Sequence, residues 1–82
     1  MPAEMMTQWG WTSYRRLPFV RDDQDGQRRC YEARFSTSSI VTPGEQWEVR
    51  RSRFWASRPI LALRKIALSN QDPEVYEGKT VN

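Results

Sequence analysis

One cysteine and no histidine in 82 residues is the feature that most restricts this chain. A disulfide framework within the chain is impossible with Cys30 alone, and a structural zinc site has almost no ligands. Imidazole-dependent dyads and triads are excluded with them. A domain this small buries only about 60 to 65% of its unfolded surface. Without staples it must be held by its apolar core or by a partner. Ten aromatic residues supply that core: Trp9, Trp11, Tyr14, Phe19, Tyr31, Phe35, Trp47, Phe54, Trp55 and Tyr76. Each can bury roughly 150–250 Å2, which is too much apolar surface for a disordered chain.

Local patterns point to strands. "WGWTSYRRLPFV" is aromatic-rich, with glycine and proline where a helix would not hold them, and Pro18 suits an edge strand or a strand end. "RDDQDGQ" reads as a turn in which Asp25-Gly26 supplies positive φ for a hairpin. "RRCYEARFS" alternates, with Tyr31, Ala33 and Phe35 on one side and Arg28, Cys30, Glu32 and Arg34 on the other. After the Pro43-Gly44 turn, Trp47 and Val49 would share a face with Arg51 and Arg53, opposite Phe54; this mixture predicts a bulge near Arg51 or a strand leaving the core.

"ILALRKIALSN" has two readings. A strand places Ile60, Ala62, Ile66 and Leu68 on one face, interrupted by Arg64; a helix is favoured by Ala, Leu, Arg and Lys, with Ser57 as N-cap. The strand is preferred because it would close a β-meander. The expectation is a mainly β fold, a small antiparallel meander or barrel of OB/SH3-like size, with at most one short helix near 58–69. Tyr31, Ala33, Phe35, Val49 and several tryptophans should lie inside. Residues 1–8 form a tail, 9–70 the domain, and 71–82 a tail or short edge strand, starting with a turn at Asp72-Pro73.

The charge is uneven. Residues 28–65 carry a net +6, against −1 before them and −2 after, and eleven of the thirteen basic residues are arginine. Arginine adds bidentate phosphate contacts and stacking that lysine does not, although a GC-rich genome would enrich it equally. Arg50, Arg51, Arg53, Arg58, Arg64 and Lys65 are interleaved with Trp47, Phe54 and Trp55. A basic groove with stacking aromatics is how single-stranded nucleic acid is held. The competing reading makes the aromatics core and the arginines a solvated face.

The segment PGEQWEV, Pro43 to Val49, resembles the Pro-Gly-Glu turn and following strand of small nucleic-acid-binding barrels such as TRAM and OB-type domains. It covers under a third of the chain, and it implies nucleic-acid binding by the strand that follows.

An enzyme is not expected, nor are a metal or cofactor. Asp22, Asp23 and Asp25 lack calcium-loop spacing, and nothing separates the pKa values of Glu45 and Glu48. Cys30 has flanking arginines that could lower its pKa but no neighbouring base, so a free, dispensable thiol is expected. No glycine-rich phosphate loop is present. The expectation is therefore a basic binding protein for single-stranded nucleic acid or RNA, acting through Arg50, Arg51, Arg53, Trp55, Arg58, Arg64 and Lys65. Arg50, Arg51, Arg53 and Arg58 should face solvent, with Trp55 partly exposed beside them.

The alternative is a protein-interaction or inhibitory module that uses exposed aromatics and a strand edge, with an acidic protein or a second copy as partner. Small accessory proteins of phage and plasmid type have this look. No apolar run approaches the ~20 residues of a membrane span. The start lacks the basic and apolar regions of a secretory signal, and "SYRRLPFV" runs into acidic "RDDQD" where a twin-arginine signal needs an apolar stretch. A cytoplasmic location without membrane contact is the expectation.

Overall fold

A computed structural model describes residues 8–38 and 48–82. They form three antiparallel strands, β1 (Gln8–Asp23), β2 (Gly26–Ser38) and β3 (Val49–Ala56), in the order β1-β2-β3. One helix follows, α1 (Pro59–Leu68), and then a 3-10 helix at Pro73–Tyr76. The sheet is open, with no pairing of β1 to β3, so the described residues form the meander alternative and not a closed barrel. Residues 1–7 and 39–47, and with them the Pro43-Gly44 turn and Trp47, lie outside the described residues.

The β1–β2 hairpin turns through Gln24 and Asp25, with Asp23 paired to Gly26. Gly26 carries the positive φ (114°) and Asp25 does not, so the glycine alone supplies the left-handed turn geometry. β1 breaks register twice against β2, between Trp11 and Ser13 and between Arg16 and Val20. The second irregularity contains Pro18, which cannot donate to a ladder and is tolerated because β1 is an edge.

One sheet face is covered. Tyr31, Ala33, Phe35, Phe54 and Ala56 pack with Trp9, with Ala62, Leu63 and Ile66 of α1, and with Val81, while Trp11 and Tyr76 lie against this cluster. Two expectations about β3 fail. Its register against β2 is unbroken from Val49 to Ala56, so there is no bulge at Arg51. Its inward residues are Arg50, Ser52, Phe54 and Ala56, and Val49 points out, 38% exposed. Arg50 takes the inward slot at the end of the sheet because acceptors meet it there. Its Nε donates to Asp72 Oδ2 (3.0 Å) and its Nη2 to Glu48 Oε2 (3.1 Å), and its guanidinium lies 5.7 Å from the Trp9 ring centroid.

The preferred strand over "ILALRKIALSN" is also corrected, because this segment is α1. Pro59 at the first position fits a helix start, where its missing N–H costs nothing. Ala62, Leu63 and Ile66 share one buried stripe. The N-cap is Arg58, in extended conformation, and not Ser57. The helix ends at Ser69, whose hydroxyl donates to Ile66 O (2.7 Å), and Asn70 with φ 59° reverses the chain. Residues 78–81 then run parallel along the outer side of β3. Gly78 N–H donates to Arg53 O, Trp55 N–H to Lys79 O, and Val81 N–H to Trp55 O. That pairing covers an edge that would otherwise present unpaired backbone.

Candidate nucleic-acid interface

The uncovered face of the sheet is built in cross-strand rows. Residues paired across an antiparallel ladder share a face, with Cβ atoms about 4.5–5.5 Å apart. One row is Arg15, Glu32 and Arg53; the next is Ser13, Arg34 and Arg51; Cys30 and Trp55 form a third. Arg15 and Ser13 reach this face only because of the irregularity at Thr12. Strict alternation from Trp9 and Trp11 would have placed them over the core, and the bulge re-aims them.

The first row is an alternating charge ladder. Arg15 pairs with Glu32 (Nη2–Oε1 3.1 Å), and Arg53 with Glu77 (Nε–Oε2 3.1 Å). Glu77 Oε1 also accepts the Arg53 backbone N–H at 2.7 Å, fastening the chain beyond the 3-10 helix to β3. The second row is not neutralised. Arg34 and Arg51 stand directly opposite each other, both exposed. Among the described residues Arg34 donates only to the Thr12 hydroxyl (3.2 Å), and Arg51 has no ion pair. Like charges directly opposite in a ladder are destabilising, so this pair carries a standing repulsion that a bound anion would relieve. A shallow depression of about 350 Å3 lies over the row, lined by Ser13, Arg15, Glu32, Arg34 and Arg51 among others.

The expected site residues separate. Arg51, Arg53 and Trp55 share the open face. Arg50 does not join them. It is partly buried on the covered face, and its pKa is raised, first by the hydrogen bond to Asp72 and then by the nearby charges of Asp72, Glu48 and Glu74. Asp72 and Glu74 reach it because residues 72–77 return to β3, a contact that the local sequence does not show. Arg64 and Lys65 are exposed on α1, across the sheet from Arg51, and Lys65 Nζ donates to Asn82 O. Arg58 is exposed at the start of α1. Trp55 is half-buried, and the Arg21 guanidinium lies 4.7 Å from its ring centroid. One ring face of Trp55 is thus occupied by a cation, and Phe54 is fully buried.

Arg15 and Arg34 join the face although the sequence alone does not single them out as binding residues. Arg34 was legible, since the β2 alternation already set it opposite the core. Cys30, on the same face, is 5% exposed and free, and burial raises its pKa against the smaller lowering by Arg53. The arginines do not make it a reactive thiolate. Among the described residues no cluster of His, Cys, Asp and Glu could hold a metal ion, and no helix is long and apolar enough to cross a membrane. No family model, curated protein or solved structure matches the chain.

Proposed function

We propose that the chain is a small binding protein for nucleic acid, single-stranded or RNA, whose phosphate backbone lies across the open sheet face. The observation that supports this best is the Arg34–Arg51 pair, two exposed guanidiniums held opposite each other with no carboxylate paired to Arg34 or Arg51 among the described residues. Arg15 and Arg53 flank the pair and can exchange a carboxylate for a phosphate as the ligand arrives. The segment that resembles the turn of small nucleic-acid-binding barrels leads into β3, the strand that carries Arg51 and Arg53. Binding on this face is electrostatic more than stacking, because Trp55 is already covered by Arg21.

Fluorescence anisotropy with a labelled single-stranded oligonucleotide tests the reading. Two to four phosphate contacts give a log–log salt slope of about −1.4 to −2.8 for a single strand, a loss of roughly seven- to fiftyfold in affinity between 50 and 200 mM salt. Arg34→Ala with Arg51→Ala should flatten that slope by about 1.4. Binding that ignores salt, or an unchanged slope in the double variant, overturns it.

A second reading has its own support. β1 is an edge strand with no partner on its outer side among the described residues, and Tyr14, Phe19 and Val20 along it are exposed. A protein partner or second copy adding a strand there would bind with little salt dependence.

A further inference from the structure

Positive charge is also left uncompensated where the hairpin turn meets the start of α1. Arg28 is 5% exposed, its Nε has no acceptor, and it makes no ion pair or side-chain hydrogen bond among the described residues. Its cross-strand neighbour is Arg21, another cation, already engaged by Asp23 (3.2 Å) and by the Thr80 hydroxyl. A guanidinium so far withdrawn from water, with its Nε fully buried, is costly to hold without a counter-charge.

The side chain folds back over the turn. Its Nη1 lies 4.0 Å from where a Cβ on Gly26 would sit. There it lines a depression of about 500 Å3 whose other wall is Ser57, Arg58 and Leu61. That wall is the N-terminus of a ten-residue helix whose cap residue, Arg58, makes no side-chain capping bond. The first N–H returned to the chain is that of Ala62, donating to Arg58 O, so those of Ile60 and Leu61 precede the intrahelical ladder. Helix N-termini attract anions through these groups and the helix dipole. Asp25 is the one carboxylate side chain among the lining residues, and Asn82 brings a main-chain oxygen that Lys65 Nζ already engages, against the two guanidiniums of Arg28 and Arg58.

We propose that this depression is an oxyanion site for a phosphate group, held by Arg28, Arg58, the Ser57 hydroxyl and the backbone N–H groups of Ile60 and Leu61. The bound anion supplies the counter-charge that Arg28 lacks. The site is separate from the Arg34–Arg51 row and stands or falls without it. Free phosphate and the terminal phosphate of a nucleic-acid strand present the same chemistry.

The test titrates inorganic phosphate into the full chain at constant ionic strength, with chloride as control, following thermal unfolding and the amide resonances of Ser57 to Leu61. Phosphate should raise the melting temperature and shift those amides where chloride does not. Arg58→Ala, at an exposed position with no capping bond, should fold normally and weaken phosphate binding roughly ten- to a hundredfold. Arg28→Met should lose the phosphate response while being no less stable than wild type in its absence; should it not fold, Ser57→Ala takes its place with a smaller loss. A phosphate response no larger than that of chloride, or one that survives unchanged in Arg58→Ala, overturns the proposal. Tighter binding of a 5′-phosphorylated oligonucleotide than of its 5′-hydroxyl form supports the site with a nucleic-acid end as its ligand. Equal binding of the two forms, with the phosphate response intact, supports it with the free anion.

Discussion

Arg51→Glu should stabilise this protein while weakening its binding of nucleic acid. Arg51 faces Arg34 across the β2–β3 ladder, with no carboxylate partner among the described residues. Cross-strand charge pairs are worth roughly 0.2–1 kcal/mol, and like pairs cost energy instead of supplying it. Reversing one member removes the repulsion and creates an attraction. Both side chains are exposed, so screening holds the gain to about 0.5–1 kcal/mol. For a chain of this size that raises the melting temperature by about 2–8 °C. Salt should act on the two proteins with opposite sign, because the Debye length falls from about 30 Å at 0.01 M to 3 Å at 1 M. This interaction should make the wild type gain stability with salt and the variant lose it. Thermal unfolding followed by circular dichroism at those two concentrations reads both effects. Arg34→Glu combined with Arg51→Glu restores a like pair and should return the stability toward wild type. A variant less stable than wild type at low salt refutes the reasoning, because Arg51 would then have an attractive partner already.

Leu63→Ala removes a fully buried side chain from the α1–sheet contact and should cost about 3–5 kcal/mol, whereas Val49→Thr on the open face should cost under about 0.5 kcal/mol; urea unfolding separates them. Cys30 should resist thiol reagents near neutral pH until the chain unfolds. Burial favours its neutral form, so the stability this confers is complete below the ordinary thiol range and is lost as pH rises through the raised value. Cys30→Ser should flatten that alkaline decline, and a variant that declines identically would show the thiol is not its source. Glu77→Gln should loosen the strip 78–81 from β3, seen as faster exchange of the Trp55 and Val81 amide hydrogens while those of β2 are unchanged.

The β2 strand was legible because its alternation is clean and its partners lie on both sides. The hairpin was legible from Asp25-Gly26, although only the glycine carries the unusual φ. The helix was not, because Ile60, Leu61 and Leu68 stay exposed and blur the stripe that Ala62, Leu63 and Ile66 form. β3 was misread because Val49 shares a face with Arg51 and Arg53, which looks like a break in alternation; the ladder keeps Val49 there, and Arg50 turns inward to meet Asp72 and Glu74, which return from later in the chain. Local sequence carried Arg51 and Arg53 to the open face correctly. It could not join them to Arg15, whose orientation depends on a bulge, or remove Arg50, two of whose partners, Asp72 and Glu74, lie more than twenty residues away.

On the proposed function, the open sheet face, and not the helix side, receives the phosphate backbone. Amide chemical-shift mapping on titration with a single-stranded oligonucleotide tests it most directly. The largest shifts should fall on Ser13, Arg15, Arg34, Arg51 and Arg53 and diminish as salt is raised. Shifts confined to the outer edge of β1 or to the exposed side of α1 around Arg64 and Lys65, with the Arg34–Arg51 row unmoved, would contradict it.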